Sequence, residues 1–146
     1  MSIHEVKALG PFFFAEQDRL RGGPANELCA PEYTAQIGAN PPMPLAGHQQ
    51  FAAMFYAAFP DIHHVIEETV AEPDRVAVRF TLHGTHTGDF MGLPATGRTV
   101  AVPAIAILRV AAGKVTELHA VFDQAGMMRQ LGGAPPAPAE ATTRPR

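Results

Sequence analysis

The chain has little of what several protein classes require. Its 146 residues include one cysteine and no tryptophan, and its net charge is −3. It has no cluster of lysine or arginine, which nucleic-acid binding depends on, so a nucleic acid is not an expected partner. The longest apolar run, Val100 to Leu108, is far shorter than the roughly 20 residues that cross a bilayer. We therefore expect no membrane partner either.

The scarcity of cysteine and the start of the chain both indicate a compartment. Cys29 has no second cysteine with which to form an internal disulfide. Residues 1–15 lack the basic region and the small-residue cleavage site of a signal peptide, and Glu16 and Asp18 follow closely. Both observations predict a cytoplasmic protein.

Length and composition predict one domain followed by a tail. A chain of this size forms one ordinary domain around a single core. Residues 133–146, GAPPAPAEATTRPR, are rich in proline and alanine and carry almost no apolar bulk. They cannot offset the entropy cost of becoming ordered. We therefore predict a single domain over 1–132 and a flexible tail over 133–146.

Helix signals occupy the first 60 residues. Gly10 and Pro11 predict that a helix from Ser2 is interrupted and that the main helix begins at the proline. Later, apolar residues recur at i, i+3, i+4 and i+7 from Phe51, which indicates one buried helical stripe. Pro24 begins a short helix over 26–29, and residues 30–42 are predicted to be irregular. The predicted helices lie at 11–21, 26–29 and 47–58.

The rest of the chain has the period of two that is typical of strands. Glu72-Pro73-Asp74 is a turn sequence between two such runs, and Ala112-Gly113 is another. Each pair of runs therefore predicts an antiparallel hairpin. Strands that follow helices, without alternating with them, indicate an α+β fold. The predicted strands lie at 65–70, 76–87, 98–110 and 115–122.

Three blocks of sequence carry a family resemblance. They are FPD at 59–61, GTHTGDFMGLPATGR at 84–98 and ELHAVFDQAGMMRQLG at 117–132. In order and spacing, over roughly residues 11–132, they resemble the SnoaL-like polyketide cyclases of the NTF2-like superfamily. The resemblance implies a cystatin-like cone, in which three N-terminal helices pack on a curved antiparallel sheet and enclose a deep apolar pocket. It also implies a homodimer and no cofactor.

The same resemblance implies a role for one carboxylate. In the SnoaL-like cyclases the aspartate near the end of the last strand is the proposed general acid/base, and Asp123 matches it within the motif. Many relatives have tryptophan where this chain has His119. That departure either reshapes the pocket or adds a titrating group.

Strand parity decides which histidines can join Asp123. His119 lies four residues before Asp123, so period-two alternation places both on one face. His86 continues the apolar face of Phe80, which places it near the pocket mouth, whereas His83 faces the other way. The predicted catalytic set is therefore Asp123, His119 and His86.

Each of these residues also has a structural interpretation, which stays open at this point. Asp123 could cap a helix over 124–130 by accepting backbone N–H bonds. His119 could be a half-buried histidine with no catalytic part, and His86 could belong to ordinary turn chemistry.

The remaining candidates divide into pocket lining and surface. We assign His48, His63 and His64 to surface or helix-terminal positions. No metal site is expected, because the sequence offers neither an HxH pair on one strand nor a cysteine pair. The residues predicted to line the pocket are Tyr33, Phe51, Met54, Phe55, Phe80 and Met91.

These features predict a cofactor-independent enzyme that moves a proton next to a carbonyl group. It would close or isomerise a ring in a hydrophobic small molecule, because a carboxylate in an apolar pocket has a raised pKa and can both take and return a proton. Two other interpretations remain open. One is a non-catalytic small-molecule-binding module on the same fold. The other is a different pocket enzyme, such as an epoxide hydrolase, a dehydratase or a hydroxylase.

Overall fold

The computed structural model describes residues 1–132 and has an α+β arrangement of one six-stranded sheet and three α-helices. The predicted tail over 133–146 lies outside the described residues. In chain order the elements are α1 (Ile3–Leu20), a 3-10 turn (Asn26–Leu28), β1 (Cys29–Ile37), β2 (Met43–Pro44), α2 (Leu45–Ala58), β3 (His63–Glu72), β4 (Arg75–Thr85), β5 (Thr99–Ala111), β6 (Lys114–Phe122) and α3 (Gln124–Gln130).

Two local hairpins form most of the sheet, as the sequence predicts. β3 pairs antiparallel with β4, and β5 pairs antiparallel with both β4 and β6. Ala112 and Gly113 connect β5 to β6 with φ of 51° and 78°. Two successive positive φ values match the twist of a tight hairpin. Buried and exposed residues alternate along the whole of β5, so one face of the sheet belongs to the core. The four predicted strands are confirmed.

The first helix contradicts the prediction that it begins at Pro11. α1 begins at Ile3, because Ser2 and Glu5 form a capping box in which each side chain binds the other residue's backbone N–H. A proline inside a helix costs about 3 kcal/mol. Val6 and Leu9 are buried before it, and each such side chain stabilises by about 1.5–3 kcal/mol. Their burial therefore offsets the proline.

Gly10 has a packing role in this helix. A Cβ atom at this position would lie 2.7 Å from Cγ2 of Val78 on β4. The absence of a side chain therefore lets α1 approach the sheet closely. From the sequence, Gly10 is expected to break the helix, but in the structure it sets the distance between α1 and the sheet.

The stretch predicted to be irregular contains a strand. β1 pairs in parallel with β6, and the sheet order is β2-β1-β6-β5-β4-β3. The sheet is therefore mixed, and the antiparallel sheet expected from the resemblance is corrected at this one junction. Tyr33, Ala35 and Ile37 alternate toward the core. Pro31 hid the strand in the sequence, and it lies where the register with β6 shifts.

The helices also differ from the expected set of three at the N-terminus. α2 agrees with the predicted 47–58 helix, but the predicted helix at 26–29 is a single 3-10 turn. The third α-helix is α3, which follows the last strand. α1 packs across β3 and β4, α2 contacts β1 and β2, and α3 contacts β5. This arrangement leaves a cavity between α1, α2 and the inner face of the sheet.

Candidate functional site

The cavity encloses about 100 Å³ and has a mostly apolar lining. Aromatic side chains come from both helices and from the sheet, and they include Phe14, Phe51, Phe55, Phe80 and Phe122. Four polar side chains also line it, namely Gln17, His48, Tyr56 and His64. An apolar concavity with a few convergent polar groups is the usual form of a small-molecule site.

The predicted lining residues divide into two groups. Phe51, Phe55 and Phe80 line the cavity. Met54 does not line it, and Met91 is 69% exposed in the loop after β4, with φ of 48°. Tyr33 is buried behind the cavity wall and contacts the lining residue His48.

β6 does not place His119 in the cavity. Val110 pairs with Val115 while Arg109 pairs with Glu117, so Thr116 is an extra residue in the strand. Such a bulge shifts the alternation by one position. Leu118, Ala120 and Phe122 therefore line the cavity, and the exposed Val121 borders it. The His119 side chain is 59% exposed, and its Nε2 lies 3.7 Å from Oε2 of Glu117. The prediction that His119 shares a cavity wall with Asp123 is wrong.

Asp123 is the N-cap of α3. Its carboxylate Oδ1 accepts a hydrogen bond of 2.8 Å from the backbone N–H of Gly126. The residue is exposed and does not line the cavity. The predicted placement in the cavity is therefore wrong, and the capping role that the sequence left open is the one that the geometry supports.

His86 is not at the cavity mouth. It is fully buried beside the ring of Phe59, on the face that strand parity predicts. Its Nδ1 accepts a hydrogen bond of 3.1 Å from the backbone N–H of Thr96 and lies 3.0 Å from that residue's hydroxyl. His86 thus connects the two ends of the loop between β4 and β5. The prediction that it lies at the cavity mouth is wrong.

A carboxylate and an imidazole meet at the β3 end of the cavity, and we call them the Asp18–His64 pair. Asp18 Oδ1 lies 2.8 Å from Nδ1 of His64, and Oδ2 accepts the backbone N–H of the same residue at 2.8 Å. The Tyr56 hydroxyl donates to Oδ1 at 2.7 Å. Burial alone would raise the pKa of Asp18, but the bonds from His64 and Tyr56 outweigh it and hold that pKa below its ordinary value.

These bonds determine the proton arrangement of His64. An ionised carboxylate can only accept hydrogen bonds, so Nδ1 of His64 carries the hydrogen and donates it to Asp18. Nε2 of a neutral ring then keeps its lone pair. The ring centroid lies 4.9 Å from that of Phe14 and 5.0 Å from that of Phe80, and the side chain is 9% exposed. The Asp18 carboxylate thus fixes the orientation of the His64 ring in an apolar wall.

A second buried pair lies over β1, toward the other edge of the sheet. The Tyr33 hydroxyl and Nδ1 of His48 are 2.8 Å apart, and both residues are buried. Burial lowers the pKa of His48 to about 4 and raises that of Tyr33. Both groups are therefore neutral at pH 7, and His48 is a polar but uncharged part of the lining.

The lowered pKa of His48 predicts that the free energy of unfolding depends on pH between 6.5 and about 4. Between pH 6.5 and pH 4 the unfolded chain protonates this imidazole and the folded chain does not, so stability falls as pH falls. The expected loss from this group is about 3 kcal/mol across the window. Urea denaturation at several pH values measures it. A His48→Gln variant should lose this slope, while a variant of the exposed His63 should keep it.

The sequence interpretation missed Asp18, His64 and His48. His64 has the same strand parity as the inward-facing Ile66, which was an available signal for an inward histidine. Asp18 lies one helical turn after Phe14, on the buried side of α1. Nothing local joins the two residues, because 46 positions separate them.

Two further features bear on the kind of site this is. Within residues 1–132, no three histidine, cysteine, aspartate or glutamate side chains are grouped so that they could hold a metal ion. None of the described helices is long and apolar enough to cross a membrane. The cytoplasmic location stays a prediction.

The chain matches a known family and several known proteins. The family described as "SnoaL-like polyketide cyclase" matches residues 15–131. The aklanonic acid methyl ester cyclase DnrD of Streptomyces peucetius is 34% identical over 100 residues, which are 64% of this chain and 68% of DnrD.

Solved structures give the same result at the level of the fold. AclR of Streptomyces galilaeus, a proposed hydroxylase, is 31% identical with a TM-score of 0.82, over 97% of this chain and 92% of AclR. IdmH of Streptomyces antibioticus, a proposed polyketide cyclase, is 27% identical with a TM-score of 0.72, over 88% of this chain and 98% of IdmH.

Proposed function

The chain belongs to the SnoaL-like polyketide cyclase family, and from this premise we propose that it closes or isomerises a ring in a hydrophobic carbonyl compound by acid/base proton transfer. The relative DnrD is named as a cyclase of aklanonic acid methyl ester. That name describes a methyl ester, and the five phenylalanine rings in the cavity lining offer apolar contacts to a hydrophobic substrate.

One observation carries the chemical part of the proposal, namely the Asp18–His64 pair, whose His64 ring lines the cavity. An enzyme that removes a proton next to a carbonyl needs a base within reach of the substrate and a group that stabilises the base once it is protonated. His64 lines the cavity, and the Asp18 carboxylate holds its ring at 2.8 Å. The pair meets both requirements.

The proposed reaction is an intramolecular aldol addition. Nε2 of His64 takes a proton from the carbon beside one carbonyl, and the electrons of that C–H bond form an enolate. The enolate carbon bonds to the carbon of the second carbonyl, whose π electrons move to its oxygen. That oxygen takes up a proton, which returns His64 to its neutral form. Substrate and product have the same composition, so no oxidant or reductant is needed.

The experiment incubates the protein with aklanonic acid methyl ester in H₂O and in D₂O and follows the products by mass spectrometry. Cyclisation gives a product of unchanged mass and different retention. In D₂O, deuterium should also enter unreacted ester at the carbon beside the carbonyl. Exchange without ring closure would still support the proton transfer and would point to a different ester as substrate.

Other outcomes favour other functions. A product heavier by one oxygen atom would indicate a hydroxylase, the activity proposed for AclR. If the protein binds the ester but catalyses neither deuterium exchange nor conversion, a non-catalytic binding module is favoured. Either result would contradict the proposed cyclisation.

We also propose that the protein is a homodimer that pairs through the outer face of the sheet. Ile105 on β5 and Val121 on β6 are directly paired across the strands, and Ile107 lies next to them; all three are exposed. A row of large apolar side chains on a sheet surface is typical of an interface.

Sedimentation at micromolar concentration should give a dimer, and Val121→Lys should shift the protein toward the monomer. A monomeric parent protein would contradict the proposal.

A further inference from the structure

Gln17 has a side-chain amide without a protein partner at the cavity. The residue is 4% exposed, and its Nε2 makes no hydrogen bond within residues 1–132. Buried amides almost always have partners, so one without a partner needs an explanation. Nε2 of His86 is the other such atom in the described chain, but His86 does not line the cavity. Gln17 does.

The position of Gln17 relates it to the proposed base. Phe14, Gln17 and Asp18 lie three and four residues apart on α1, and such residues share one face of a helix. Phe14 packs against the His64 ring, and Asp18 holds it. The backbone of Gln17 is fixed, since its carbonyl accepts the N–H groups of Arg21 and Gly22.

The other polar groups at this end of the cavity already have partners. The Tyr56 hydroxyl donates to Asp18, and so does Nδ1 of His64. His48 is bonded to Tyr33 over β1, toward the opposite edge of the sheet from β3. Gln17 lines the cavity as well, and its Nε2 is a buried donor without a partner in residues 1–132. Rotation of its amide presents the NH₂ group to the cavity.

We propose that the Gln17 amide binds the oxygen of the carbonyl whose neighbouring carbon loses its proton to His64. This role rests on the proposed function. When the proton leaves, the carbonyl π electrons move to the oxygen, which gains negative charge. A donor already placed in an apolar site stabilises that charge more strongly than it stabilises the neutral carbonyl. Gln17 is thus a catalytic residue that acts on the enolate oxygen.

A variant pair separates this role from a structural one. Gln17→Met keeps the side-chain length and removes the donor, so kcat should fall by about 100- to 1,000-fold with KM nearly unchanged. Its Tm should stay equal or rise, because a buried amide without a partner is removed. Gln49 is the control, since its amide binds the Pro24 carbonyl and Asn26 and lies outside the cavity lining. Gln49→Met should lower Tm and keep kcat.

A direct readout needs no turnover. The probe is 2-acetylnaphthalene labelled with ¹³C at its carbonyl, which has no second carbonyl and cannot cyclise. Its carbonyl resonance should lie further downfield when it is bound to the wild-type protein than when it is bound to Gln17→Met, which lacks the donor. If Gln17→Met has the same bound-probe resonance and the same kcat as the wild type, this role is overturned while the proposed function stands. Absence of proton exchange and conversion in the wild type would instead overturn the proposed function.

Discussion

His64→Gln should lower the turnover number for cyclisation by about 100- to 10,000-fold, the usual contribution of a general base. Glutamine can still donate a hydrogen bond to Asp18, but its amide cannot take a proton. The packing between Phe14 and Phe80 changes little, so the fold should be kept. Rates of deuterium exchange and of product formation measure the effect, and circular dichroism checks the fold.

His63 provides the matched control. It is the neighbouring residue, but it faces out of the sheet, where its ring stacks on that of His83 at 5.5 Å. His63→Gln should leave both rates near those of the wild type. Equal losses in the two variants would mean that the effect of His64 does not come from a base in the cavity.

Asp18→Leu should lower both stability and turnover. The substitution leaves three donors without their acceptor, namely the Tyr56 hydroxyl and the ring and backbone N–H groups of His64. A buried group that loses its partner costs about 1–3 kcal/mol, so we expect a loss of roughly 3 kcal/mol once the structure relaxes. Asp18→Asn keeps one acceptor but loses the negative charge, so its main effect should be on kcat, because a neutral amide stabilises the protonated His64 ring less than a carboxylate does.

Asp61 controls for the loss of a carboxylate as such. It accepts two bonds of 2.7 Å from Thr85, but it is exposed and lies away from the cavity. Asp61→Ala should cost less stability than Asp18→Leu and should keep turnover.

The Asp18 carboxylate also gives stability a pH dependence. Because the pKa of Asp18 is held below 3.8, the stability that Asp18 contributes is present above that pH and is lost as the pH falls further. This acid loss lies below the window predicted for His48.

The parts of the fold that were predictable depend on local sequence. The hairpins around Asp74 and Gly113 join neighbouring segments, so period and turn residues suffice to place them. β1 could not be found in this way, because its partner β6 lies far along the chain and Pro31 interrupts the pattern. The start of α1 is predictable from the capping-box spacing of Ser2 and Glu5, and Pro11 is tolerated inside the helix.

The site was harder to predict, for two physical reasons. One extra residue at Thr116 reverses the side of the sheet on which His119 lies, and a bulge leaves no clear mark in a single sequence. The Asp18–His64 pair depends on how α1 packs across β3, which is a tertiary property. The packing of α1 determines which titratable groups lie at the cavity.

The most direct test of the proposed base compares His64→Gln with Asp123→Asn on the same ester. Asparagine is as good an N-cap as aspartate, so the second variant should keep α3 folded. If the Asp18–His64 pair is the acid/base, His64→Gln loses at least about 100-fold in kcat and Asp123→Asn stays near the wild type. The reverse result, with Asp123→Asn inactive and His64→Gln active, would contradict the assignment and return the catalytic role to Asp123.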